Sequence, residues 1–164
     1  MDQGNKILII AMVILGGIAL QAAFAMMDNK ETPHRAVVEF SKAYFKLDDA
    51  MANRLCEEQQ FVDDVDVVDQ YIYEAVKDIK ERGFGKNFAK NKLYTVETHT
   101  TFQGADKALV SLHGKRRIAV NPVYPIISKL FSLGETYTVD AEMNVVKEDG
   151  KWKVCDRLSS IFGS

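Results

Sequence analysis

The chain has 164 residues, of which 47% are hydrophobic and 27% charged, and its formal charge is −2. Lysine and arginine are interspersed with aspartate and glutamate, which excludes the one-sided basic face of a nucleic-acid binder. Without an apolar N-terminal stretch about 140 residues remain, which suits one domain with one core.

The run from Ile7 to Ala25 carries no charge, and its one polar side chain is Gln21. At 1.5 Å rise per residue, about 19–21 helical residues cross a hydrocarbon core of about 30 Å. Residues 1–27 are therefore expected to be a transmembrane anchor contacting the membrane through 7–25, or a signal segment. The alternative is cleavage and export, because Ala23-Phe24-Ala25 has the small-x-small pattern of a processing site. Lys6 gives a weak positive-inside signal. Both readings place the rest of the chain outside the cytoplasm, on the periplasmic side if the source is bacterial.

Residues 28–32 read as a linker, 33–158 as a folded domain and 159–164 as a tail. Thr32-Pro33 has the form of an N-cap followed by a first helical residue. Val37, Phe40, Tyr44 and Leu47 then recur at helical spacing, and Met51 and Leu55 extend the stripe into a second, shorter helix through Cys56. Asp63 or Asp64 is expected to cap a third helix with Val65, Val68, Ile72, Ala75, Val76 and Ile79 on its buried face, ended by Gly83 and Gly85.

After Lys92 the period becomes two. Tyr94, Val96, Thr98, Thr100 and Phe102 alternate with Thr95, Glu97, His99 and Thr101. Across the turn at Gly104-Ala105-Asp106, Ala108, Val110 and Leu112 alternate with Ser111, His113 and Lys115. This predicts an antiparallel hairpin with one core face and one polar face. Pairing residues whose numbers sum to about 210 sets Glu97 opposite His113 and His99 opposite Ser111. Lys115-Arg116-Arg117 is the one basic run; it reads as a solvated strand, or else as a contact for anionic headgroups or an acidic partner.

Residues 121–134 interrupt the strands with two prolines and an apolar cluster. Val123, Tyr124, Ile126, Ile127, Leu130 and Phe131 are candidate contacts with a protein partner or the bilayer, the alternative being a short helix over the domain's mouth. Tyr137, Val139, Ala141, Met143 and Val145 predict another strand. Asp149-Gly150 is a hairpin turn signal that sets Val154 opposite Val145.

The expected fold is α+β: a transmembrane helix, then two to three helices packed on a curved antiparallel sheet of about four to five strands. Helices first, then a sheet closing on VVKEDGKWKVCD, resembles the nuclear-transport-factor-2-like superfamily over about residues 33–157. The resemblance implies a cone-shaped sheet with a pocket at its open end. It covers isomerases, dehydratases, ligand binders and non-catalytic assembly modules, so it does not choose a function.

Phe40, Tyr44, Val96 and Met143 would line such a pocket, with Asp156 at its rim. A Glu–His pair can act as a base with its orienting partner, but strand parity turns Glu97, His99 and His113 away from the core, toward a surface or dimer face. No nucleophile or oxyanion loop accompanies them, so no catalytic residue is assigned. Cys56 and Cys155 are either bridged, tying an early helix to the last strand, or two thiols. Alternation sets Cys155 with Lys153, away from Val154, which speaks against the bridge. Two cysteines with few histidines nearby make no zinc site, and no cofactor is implied. The expected function is a non-catalytic, membrane-tethered interaction module, an accessory subunit of a membrane complex with a protein partner or a second copy. The alternative is a small apolar ligand binder, or an isomerase- or dehydratase-like enzyme using the pocket.

Overall fold

The computed structural model describes residues 10–21, 30–83, 85–88, 90–118 and 136–162. The chain divides into Met1–Glu31 and Thr32–Ser164. In the first unit residues 10–21 form helix α1, whose side chains are exposed. Among the described residues no helix is long and apolar enough to cross a membrane. The rest of the predicted span, residues 7–9 and 22–25, lies outside the described residues.

The second unit is α+β. Helix α2 (Pro33–Lys46) starts after Thr32, which is extended, and ends where Leu47 turns left-handed at φ 53°. Its apolar stripe buries Ala36, Val37, Phe40, Ala43 and Phe45. The second predicted helix is instead a 3-10 segment, Asp49–Arg54, capped by the Asp48 side chain on Ala50 N–H. Leu55 falls past its end in an extended conformation and is fully buried beside Val154.

The expected cap at Asp63 or Asp64 is corrected. Both residues have positive φ, 51° and 61°, and form the two-residue turn between β1 (Phe61–Val62) and β2 (Val65–Asp66). Aspartate tolerates the left-handed region better than most side chains, which suits it to this tight hairpin. The cap of helix α3 (Val67–Glu81) is Asp66, which accepts from the N–H groups of Val68 and Asp69. Val65 is consequently exposed, and of the predicted stripe Val68 alone is fully buried.

The main sheet has the order β3 (Asn91–Phe102), β4 (Lys107–Ile118), β5 (Thr136–Glu148), β6 (Lys151–Val154), all antiparallel. Helix α2 lies against all four strands. Val110, Leu112, Met143, Val145 and Val154 form the core with the α2 stripe. Asp149 and Gly150, both at positive φ, make the β5–β6 turn, and Val145 faces Val154.

A β-bulge between Tyr94 and Glu97, with Thr95 at φ 50°, shifts the β3 register by one residue. A one-residue shift exchanges the two faces of a strand. Before the bulge it is therefore Leu93 that enters the core, not Tyr94, whose hydroxyl instead meets Thr136 Oγ1 at 2.9 Å. Gly114 lies opposite the bulge, where an added Cβ would stand 3.4 Å from Leu93 Cδ1.

The expected tail is corrected over 159–162, residues 163–164 lying outside the described residues. Helix α4 (Leu158–Ile161) buries Leu158 and Ile161, and Phe162 packs on Tyr44 and Phe45 with centroids 4.6 and 4.7 Å away. Apolar residues three and four apart on one turn give even so short a helix a face for the core.

Glu39 joins two elements. Its carboxylate accepts from Arg35 Nε on the same helix and from Arg54 Nε, both at 2.8 Å. Partial burial raises its pKa, but the hydrogen bonds and charges of the two arginines outweigh this, so the net shift is downward. A lowered folded-state pKa adds stability above the unfolded carboxylate value, and that stability is lost as pH falls through the folded value. The Glu39 side chain is 41% exposed, so Glu39→Gln is expected to cost under about 1 kcal/mol at neutral pH. Urea titrations should show the wild-type advantage shrink as pH falls below the ordinary carboxylate range and through the lowered folded-state value. A pH-independent difference would assign the loss to packing.

Candidate functional site on the polar face of the sheet

The outward face of β3, β4 and β5 carries two cross-strand rows of polar residues. In the first, Glu97 pairs with His113, which pairs with Asp140. In the second, His99 pairs with Ser111, which pairs with Glu142. The alternation that buries Val110, Leu112, Val139 and Met143 places these six residues on the opposite side.

His113 Nδ1 is hydrogen-bonded to Asp140 Oδ1. Ser111 Oγ donates to Glu142 Oε1 at 3.3 Å. The rows frame a shallow depression of about 530 Å³. Three carboxylates against two histidines make these two rows acidic when the histidines are neutral, with Lys115 and Arg117 farther along β4 on the same face.

Chemically the arrangement has a histidine with an orienting carboxylate but no nucleophile served by it, since Ser111 bonds Glu142. His113 and Asp140 are 57% and 69% exposed, so the pair works in water rather than in the dry, preorganised setting that makes such groups powerful catalysts. Among the described residues, the ligand atoms of this face do not converge as a metal site would require. Cys56, Glu148 and Cys155 do bring ligand atoms within 4.8 Å of one another. The two sulfurs, however, are joined to each other, so neither is a free thiolate for a metal.

The bridge joins residues 99 apart in sequence, with Cα atoms 5.0 Å apart, a separation that a disulfide spans. The parity objection assumed that Cys56 came from a helix on the core side. Instead Leu55 bridges Val154 in parallel, and Cys56 N–H donates to Val154 O at 2.8 Å. Residues 55–56 thus run beside β6 as a further strand would. Leu55 follows Val154 into the core, and Cys56 follows Cys155 to the other side.

Among the described residues, those expected around a pocket are not gathered into one. Phe40 and Met143 have no exposed surface and belong to the core. Tyr44 and Val96 are half-buried and pack against it. Asp156 holds the chain after β6: Oδ2 accepts from Asn144 N at 2.6 Å and Oδ1 from Asn144 Nδ2 at 2.9 Å. With both oxygens used by Asn144, it is a fastening of the strand end rather than a group aimed at a ligand. Val123, Tyr124, Ile126, Ile127, Leu130 and Phe131 lie outside the described residues.

Sequence reasoning missed Asp140 and Glu142 as members of the polar face. Alternation turns both outward, but their partners depend on the β4–β5 register, which no short turn sets.

No protein-family model matches this chain, and no curated protein matches it. Among solved structures it is similar to an NTF-2-like protein of unknown function from Shewanella oneidensis MR-1. The two are 16% identical, the match covers 75% of this chain and 94% of that one, and the TM-score is 0.43.

Proposed function

We propose that this chain is a membrane-tethered interaction module working outside the cytoplasm, an accessory subunit of a membrane complex. On this reading it docks a basic partner surface on the polar face of its sheet. The observation that carries the reading is the Cys56–Cys155 disulfide, because such bridges form and persist in oxidising compartments. The uncharged run Ile7–Ala25 supports a tether. The order of elements, helices and then a sheet closing on the Asp149-Gly150 hairpin, agrees with the nuclear-transport-factor-2-like resemblance, whose members include non-catalytic assembly modules. The exposed carboxylates Glu97, Asp140 and Glu142 complement a basic surface by charge.

The test is a photo-crosslinker at His99 in the full chain, purified from membranes in mild detergent. The expected result is one discrete adduct, reduced about tenfold or more by the charge reversal Glu97→Lys with Glu142→Lys. An undiminished adduct in the double variant, or no adduct at all, would count against this face as the docking surface.

A further inference from the structure

We propose that Arg116 anchors a second, separate site, one that takes a carboxylate carried on an apolar or aromatic body. Unlike its neighbours in the basic run, Arg116 lies on the inward side of the sheet. It shares parity with Val110, Leu112 and Gly114, all buried, while Lys115 and Arg117 point outward. Its cross-strand neighbours are Leu93 and Tyr137.

The guanidinium carbon stands 5.5 Å from the ring centroids of both Phe45 and Tyr137. Ring contacts of this kind satisfy the charge through the guanidinium faces and leave its N–H edge available. Behind Phe45 the rings continue: Tyr44 meets it edge-on at 5.3 Å and stacks on Tyr71 at 4.5 Å. Burial raises the Tyr71 pKa, as does its hydrogen bond with Tyr44, while the nearby Arg116 charge pulls the other way. Tyr71 therefore stays a neutral hydroxyl and supplies no counter-charge.

Among the described residues Arg116 forms no ion pair. A half-buried cation on a core-facing row is ordinarily paired. Arg116 itself keeps part of its surface exposed, as does Tyr137 beside it. One fixed positive charge with a planar fork fits a monoanionic carboxylate in two-point contact. The surrounding rings favour an apolar body on that carboxylate over a bare ion. The carboxylate can belong to a small organic acid or to a peptide C-terminus.

The experiment titrates the full-length chain in detergent micelles with benzoate and, separately, with N-acetylphenylalanine. The arginine Nε–H resonances are followed by NMR, with the corresponding neutral amides as controls. Saturable shifts of Arg116 are expected with the acids and not with the amides. Arg116→Gln should weaken binding about tenfold or more, whereas Lys115→Gln and Arg117→Gln should change it less than about twofold. Tighter binding of benzoate marks a small acid as the source, and tighter N-acetylphenylalanine marks a peptide terminus. Should Arg116→Gln fail to fold, Arg116→Lys, which keeps the charge but loses the fork, is expected to weaken binding by a similar factor. Equal response to acids and amides, no saturation, or undiminished affinity in the Arg116 variant would overturn the proposal.

Discussion

Replacing Cys56 and Cys155 together with alanine is expected to lower the unfolding free energy by about 3–5 kcal/mol. A bridge across 99 residues closes most of the folded unit into one loop, and in the chain-entropy account its effect rises slowly with loop length. The native side has its own stake in the bridge. Cys56 is 1% exposed, and its N–H to Val154 O bond fixes the segment that carries Leu55 into the core. Without the bridge that segment is held along β6 by few backbone contacts. Urea unfolding followed by the fluorescence of buried Trp152, with and without a phosphine reductant, provides the measurement. A large fall in midpoint on reduction of the wild type, and none in the double alanine variant, is the expected pair of results. An unchanged wild-type midpoint would mean that the two sulfurs are not joined.

Phe40→Ala is expected to cost about 3–5 kcal/mol, as other large-to-small changes of buried aromatics do. Phe40 has no exposed surface and sits on α2 where that helix lies across the sheet. The change would leave a void flanked by residues with little room to collapse, since Val37, Val110 and Met143 are equally buried. Tyr73 on α3, 68% exposed, is the contrast: Tyr73→Ala should stay within about 0.5 kcal/mol. Thermal unfolding of the two variants separates a packed core from a ligand cavity. A Phe40→Ala protein as stable as wild type would revive Phe40 as the lining of an open pocket.

Periodicity carried much of the fold. Val37 and Phe40 of the α2 stripe, the Glu97–His113 and His99–Ser111 pairs and the Val145–Val154 register follow from helical spacing, strand alternation and short turns. Each is a local rule acting over a few residues. The failures came where one residue reset the rule. The bulge at Thr95 exchanged Tyr94 for Leu93 in the core. The turn at Asp63-Asp64 moved the α3 cap to Asp66. Parallel pairing of Leu55 with Val154 placed Cys56 on the side of Cys155.

The candidate site was half legible for the same reason. Its β3 and β4 members share a hairpin with a defined turn. Asp140 and Glu142 arrive from β5, after an intervening segment whose length sets no register. Arg116 was hidden by its neighbours, because a basic run looks uniformly solvated unless strand parity is carried through to its end.

Where the domain resides, and in what redox state, decides between a tethered extracytoplasmic module and any other role. The direct measurement is the intact, unreduced mass of the protein recovered from membranes after cell fractionation, with free thiols blocked at lysis. The account predicts a membrane-bound chain that keeps residues 1–25 and carries no blocked thiol, its two cysteines being joined. A chain recovered in the cytosolic fraction with both Cys56 and Cys155 blocked would contradict it.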